Sequence, residues 1–377
     1  MLYWLLYEVA SPHIGVLRLF GYVTFRTAVA SLTALLLGIL LGPWMIRKLK
    51  DLQIGQHIRE DGPKSHQKKA GTPTMGGLLI VVSVLVPTLL FTNLTNPYVW
   101  VALFAMVGFG AIGFYDDYTK VKKMRNLGLT ARQKWWLQVA AALVIGWFLL
   151  LLHARNQYST AMNVPFFKDF RPDLLIDSFL HNTWTYPLAF VGFFGFLIVV
   201  IVGSANGVNL ADGLDGLAIG LMIIASGAMT VLTYMSGHAQ FANYLDLARL
   251  PGAAELTIFC GALTGASLAF LYYNAHPAEV FMGDVGSLAL GGSLGTIAVL
   301  IKQEILLLFV GGVFVIETLS VMLQVGSFKL RGKRIFKMAP LHHHFEAIGW
   351  HESKVIVRFW IAGLVMALFA LTTLKLR

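Results

Sequence analysis

A chain of 377 residues that is 57% hydrophobic and 13% charged departs from the composition of a water-soluble domain of that size. Its net charge of +10 is carried by no soluble basic domain, which excludes nucleic acid as a partner. The single Cys260 excludes a disulfide framework and a thiolate metal cluster.

Residues 1–21 mix Tyr, Trp, Leu and His without a small-residue cleavage site, so they read as an interfacial segment on the outer face rather than a removable signal. Ten apolar runs follow, each near the roughly 20 residues a bilayer requires. They cover about 22–45, 74–94, 97–115, 133–152, 185–203, 214–234, 255–273, 285–302, 305–325 and 354–375. The pairs 74–94/97–115 and 285–302/305–325 have such short connections that they form antiparallel hairpins. Only helices satisfy their own backbone in lipid without closing a barrel. The expectation is therefore an all-α, polytopic integral membrane protein of about ten transmembrane helices, with residues 1–377 forming one domain.

Basic residues set the orientation. Loops 46–73, 116–134 and 326–354 hold seven, six and six Lys and Arg, or 19 of the 29 in the chain. The positive-inside rule places these loops in the cytoplasm and both termini outside, in the periplasm. Residues 153–184 become a small periplasmic loop, and 204–213 and 274–284 fall inside. Asp116, Asp117, Asp212, Asp215 and Asp284 then share the cytoplasmic face. Carboxylates beside lipid are costly unless paired, wetted or bound to a cation, and five on one face point to a divalent-metal site that handles phosphates.

Three segments carry this chemistry. Phe114-Tyr115-Asp116-Asp117-Tyr118-Thr119-Lys120 closes the third span. Neighbouring side chains on a helix diverge by about 100°, so the adjacent carboxylates are expected to serve one ion unequally, with Lys120 within reach of either. In Asn206-Gly-Val-Asn209-Leu-Ala-Asp212-Gly-Leu-Asp215-Gly, polar groups recur every third residue. On a regular helix they drift apart, so convergence requires an unwound backbone, which the glycines permit. Asn274-Ala-His-Pro-Ala-Glu-Val-Phe281-Met-Gly-Asp284-Val-Gly-Ser287 is a short inside loop entering a span. A lone Asp there caps a helix, and Phe281 is either a stacking platform or an interfacial aromatic. Two basic elements complement the acids: Lys68-Lys69-Ala-Gly-Thr-Pro-Thr74-Met-Gly-Gly, and Pro-Leu-His342-His343-His344-Phe-Glu346. Consecutive histidines cannot all reach one ion from a helix, so donation to phosphate or sugar oxygens fits better beside carboxylates suited to Mg²⁺.

From about residue 45 to the C-terminus the chain resembles the polyprenyl-phosphate phospho-N-acetylhexosamine transferases. The resemblance rests on KKAGTPTMGG (68–77), FYDDYTK (114–120), NGVNLADGLDGLA (206–218), NAHPAEVFMGDVGS (274–287) and MAPLHHHFE (338–346). The His-rich block points to the muramoyl-pentapeptide branch. The resemblance implies Mg²⁺ as cofactor, with Asp284 its principal ligand and Asp116 and Asp117 close to the reacting phosphates. It implies a catalytic role for these three and His343. Lys69, Thr74, Lys120, Asn206, Asn209, Asp212, Asp215 and Ser287 would line the cleft, Asn274 and Phe281 the uridine side, and His342 and His344 the diphosphate and sugar. The implied reaction moves phospho-MurNAc-pentapeptide from UDP-MurNAc-pentapeptide to undecaprenyl phosphate, giving lipid I and UMP. Its implied place is the cytoplasmic face of a bacterial inner membrane, among membrane lipid, with a homodimer left open.

One phosphoanhydride replaces another in that reaction, so no ATP is needed. A phosphate monoester with its second pKa near 6 is mostly dianionic at neutral pH, which favours direct attack by the lipid phosphate. A covalent aspartyl-phosphate on Asp117 stays open as the other route. Two alternative functions also stay open at this point: a sister transferase using UDP-GlcNAc, and an ion-coupled transporter.

Overall fold

The computed structural model describes residues 1–52, 71–122, 128–165, 167, 170–175, 186–247 and 249–375. Among them there is no β-strand, and nine helices are long and apolar enough to cross a membrane. In chain order the helices are α1 (Val23–Asp51), α2 (Gly77–Phe91), α3 (Pro97–Lys122), α4 (Ala131–Ala154), α5 (Tyr186–Ala211), α6 (Leu217–Gly237), α7 (Ala239–Tyr244), α8 (Ala253–Asn274), α9 (Gly283–Leu300), α10 (Glu304–Val310), α11 (Gly312–Arg331), α12 (Leu341–Ala347) and α13 (Glu352–Thr372). Two helical turns, Trp4–Ala10 and Gly15–Gly21, precede them. The architecture is an all-α, multi-pass membrane bundle.

The ten expected spans each meet a helix, with three informative differences. The 74–94 run yields only the 15-residue α2, about 22 Å long at 1.5 Å per residue. Its start is delayed because residues 73–77 pair by backbone with 281–282: Phe281 N donates to Pro73 O, and Gly76 N and Gly77 N donate to Phe281 O and Met282 O at 2.8–2.9 Å. The 97–115 run continues as helix to Lys122, so the acidic pair lies on α3 itself. The 305–325 run breaks at Gly311 into α10 and α11.

Helix α9 is the axis of the bundle. Every residue from Val285 to Leu300 is buried, between α3 and α5. Its small residues permit that enclosure by letting neighbouring backbones approach closely. Helix α8 forms the second centre, packed on α1, α2 and α6.

Buried ion pairs fasten the end remote from the acidic segments. Arg26 of α1 donates to both carboxylate oxygens of Glu255 at 2.8 Å and to Phe91 O at 3.0 Å. Lys302, wholly buried, meets Glu304 at 2.9 Å and the Tyr158 hydroxyl at 3.1 Å. The N-terminal ammonium donates to Leu89 O at 2.7 Å, anchoring the first turns at the end of α2.

Candidate active site

The C-terminal end of α3, the N-terminal ends of α4 and α9, and the turn between α5 and α6 converge at one end of the bundle. Two glycines permit the closest approach. A side chain at Gly113 on α3 would collide with the Asp284 carbonyl, and Gly283, at φ +70°, leaves the space where Asp117 Oδ2 sits. The first turn of α9 is thereby laid across α3, and Val285 N donates to Asp117 Oδ2 at 3.2 Å. Asp117 thus also satisfies an orphan donor of the helix start.

Oxygens of Asp116, Asp117 and Asp284 come within 4.8 Å of one another. Both adjacent carboxylates on α3 thus join one cluster although their side chains diverge by about 100° along the helix. Lys120, one turn later, draws both inward. Its ammonium lies 2.6 Å from Asp116 Oδ2, 3.0 Å from Asp117 Oδ1 and 2.7 Å from Asp284 Oδ2. Lys134 of α4 reaches Asp284 Oδ2 at 3.0 Å, and Leu129 N donates to Asp116 Oδ1 at 2.7 Å. Asn209 donates to Asp284 Oδ1 at 2.6 Å and to Ser287 Oγ at 2.8 Å.

Two ammonium groups facing three carboxylates leave the cluster short of positive charge. Its donors are all oxygen, the set Mg²⁺ takes. The position of Lys120 among them marks where a cation is stabilised, so these residues fit a divalent ion.

The Asn206–Asp215 segment does not unwind throughout. Helix α5 persists to Ala211, and only 212–216 leaves the helix, ending at Gly216 with φ +80°. Asn206 consequently turns away from Asp284 and donates to Gln138 Oε1 at 2.6 Å. Asp212 is half-buried beside the cluster. Burial, then the negative charges of Asp284, Asp117 and Asp215, push its carboxyl up to about 8. Asp215 faces a different group, with Oδ2 accepting from His276 Nδ1 and Ala278 N, both at 3.2 Å. Asn274 is buried, accepting from Gly216 N at 3.0 Å and donating to Val280 O at 2.9 Å. Phe281 is half-buried on the same loop, and Thr74 lies against Gly283. Lys69 lies outside the described residues.

The histidine block folds back on the bundle. Glu317, buried within α11, accepts from the backbone N–H of Leu341 at 2.7 Å and His342 at 3.2 Å, capping α12. The His342 ring is wholly buried against Gly213, and burial holds its pKa below the ordinary imidazole value. His343 Nδ1 meets Glu346 at 2.8 Å, whereas His344 Nδ1 accepts from Lys337 N at 3.2 Å. The three rings thus point to separate partners.

Five contributors were absent from the sequence reading. Lys134 was hidden among basic residues explained by topology, and His276 in a loop and Glu352 at a helix start are positions where a single polar residue is unremarkable. Gln138 and Glu317 gave a usable signal, since each is a strongly polar residue inside an apolar run.

Comparison with known proteins agrees with this geometry. A family model described as glycosyl transferase family 4 matches residues 99–302, which include all three clustered aspartates. A phospho-N-acetylmuramoyl-pentapeptide-transferase signature matches residues 69–81. Over the full length of both chains, the sequence is 64% identical to the phospho-N-acetylmuramoyl-pentapeptide-transferase of Solibacter usitatus. It is likewise 62% identical to that of Koribacter versatilis and 54% to that of Desulfatibacillum aliphaticivorans. The fold and site define a membrane-embedded glycosyl transferase of family 4. Within it, the chain belongs to the phospho-N-acetylmuramoyl-pentapeptide-transferases, and the transporter reading falls away.

Proposed function

We propose that this chain transfers phospho-N-acetylmuramoyl-pentapeptide from its UDP carrier to undecaprenyl phosphate, releasing UMP, at the cytoplasmic face of a bacterial inner membrane. The observation that carries the reading is the convergence of Asp116, Asp117 and Asp284 around Lys120, with Lys134 adjoining, at one end of an apolar bundle.

Asp284, Asp116 and Asp117 would hold Mg²⁺, which when bound supplies positive charge to the diphosphate. Lys120 and Lys134 add fixed positive charge where two anionic substrates meet, so their contribution is positioning and electrostatic stabilisation. Asn209 orients Asp284 through its amide. Asn274 and Phe281 are assigned to the uridine side, His343 to the sugar-phosphate side, and Lys69, on the segment before α2, to the cleft.

The environment of Asp117 favours direct attack by the lipid phosphate. Its side chain is almost fully buried, and both oxygens are engaged, by Lys120 and by Val285 N. A nucleophile so held would have to break two hydrogen bonds before reacting.

Purified protein given undecaprenyl phosphate, Mg²⁺ and either UDP-MurNAc-pentapeptide or UDP-GlcNAc tests the reading. UMP release from the first donor alone is expected. Efficient use of UDP-GlcNAc instead would move the chain to the sister reaction.

A further inference from the structure

A second group of titratable side chains lies beside the acidic cluster and is engaged with different partners. Asp215, His276 and Glu352 bring ligand-type atoms within 4.8 Å of one another. They come from three segments: the turn after α5, the loop 275–282 and the first residue of α13. The Asp215 and Glu352 side chains are 3% and 8% exposed, and that of His276 is 35% exposed.

Hydrogen bonds join the segments. His276 Nδ1 stands 3.2 Å from Asp215 Oδ2 and 3.6 Å from Glu352 Oε2. Carboxylate oxygens accept, so this nitrogen carries the proton. Asp215 Oδ2 also takes Ala278 N, while Glu352 Oε1 takes Asp215 N at 3.2 Å. One residue on, Gly216 N donates to Asn274 Oδ1, and Asn274 closes back on Val280 O. The 212–216 turn and the loop carrying Asn274 and Phe281 are thereby held as a single unit. Glu352 fixes that unit to α13, whose Trp360 indole donates to Leu217 O at 3.4 Å.

We infer that His276 and Glu352 are positioning residues for the donor nucleotide: through Asp215 they lock the 212–216 turn to the 274–282 loop and so fix the surface on which the UDP end of the substrate rests. Asp215 accordingly acts through this network rather than as a metal ligand. The inference rests on the proposed transfer reaction and deepens it. Loosening a surface that grips the nucleotide equally in ground and transition state raises KM and spares kcat. Damage to the metal cluster lowers kcat instead.

Steady-state UMP release by the full-length protein, with UDP-MurNAc-pentapeptide and undecaprenyl phosphate varied in turn, separates these cases. His276→Ala and Glu352→Gln are expected to raise the donor KM about ten-fold or more, with kcat, the lipid KM and Mg²⁺ activation changed by less than about three-fold. His276→Asn places an amide N–H near the position of Nδ1 and should restore the donor KM to within about three-fold of wild type. Thermal unfolding identifies any variant that fails to fold, and the Ala/Asn pair at His276 then decides. Equal rises in both KM values, a fall in kcat alone, or no rescue by Asn would overturn the inference. So would bound Zn²⁺ or Mn²⁺, added alone, that His276→Ala abolishes. If wild type releases no UMP, the transfer reading itself fails; if wild type is active and the variants match it, only this inference fails.

Discussion

The ammonium of Lys120 lies 2.7 Å from Asp284 Oδ2, linking helices whose residues here are 164 positions apart in sequence. The same nitrogen touches Asp116 and Asp117, so it occupies the place at which three carboxylates can share a cation. A divalent ion held by these carboxylates would compete with Lys120 for the same oxygens.

Lys120→Met should lose turnover by about a hundredfold, near 2.7 kcal/mol of transition-state stabilisation at 1.36 kcal/mol per decade. The metal-free variant should melt at a lower temperature, and Mg²⁺ should raise its melting point more than it raises that of wild type. Mg²⁺ titrations of thermal unfolding and UMP release check both. A variant with normal turnover and unaltered Mg²⁺ response would remove Lys120 from the site.

The burial of Asp117 predicts that no covalent intermediate accumulates. Protein given UDP-MurNAc-pentapeptide without lipid acceptor should release no stoichiometric burst of UMP. A burst with acid-stable label on the protein, lost in Asp117→Asn, would establish the two-step route.

Asp212 predicts a pH dependence of the metal-free protein. Its folded pKa of about 8 exceeds the unfolded value of 3.8, so the folded state binds the extra proton between those values. Its contribution to stability is thus full below about pH 4 and declines as pH rises toward 8. Melting curves in EDTA from pH 6 to 9 should fall less steeply for Asp212→Asn than for wild type. Identical slopes would show that Asp212 does not titrate with folding in this range.

At the other end of the bundle, Glu255→Gln should leave Arg26 without its bidentate partner. Removing one member of a buried pair costs about 3–5 kcal/mol. A clear drop in melting temperature is expected, with turnover per folded molecule preserved because the pair lies far from the acidic cluster. Unchanged melting would show the pair to be incidental.

The helices were legible because each span needs a long apolar run, and the clustered aspartates because carboxylates beside such runs demand compensation. What escaped was governed by three-dimensional neighbours. Asp116 and Asp117 were expected at the metal, but the contacts that hold them there, through Lys120 and the crossing of α9, are ones helix periodicity cannot express. The persistence of α5 to Ala211 separates Asn206 from Asn209, although their spacing in sequence is regular. The capping of α12 by Glu317 joins residues 24 positions apart, and only the isolated acid in an apolar run hinted at a role. The Asp215–His276–Glu352 group has no sequence pattern, because its members meet through the packing of two connections and a helix start.

In the proposed function the Asp284 cluster performs lipid-linked transfer. Wild type and Asp284→Asn, purified in parallel and matched for thermal unfolding, should be incubated with labelled UDP-MurNAc-pentapeptide, undecaprenyl phosphate and Mg²⁺, and the lipid fraction separated. Labelled lipid product is expected from wild type alone, with Asp284→Asn folded and inactive even at saturating Mg²⁺. Product formation by Asp284→Asn at the wild-type rate would contradict it.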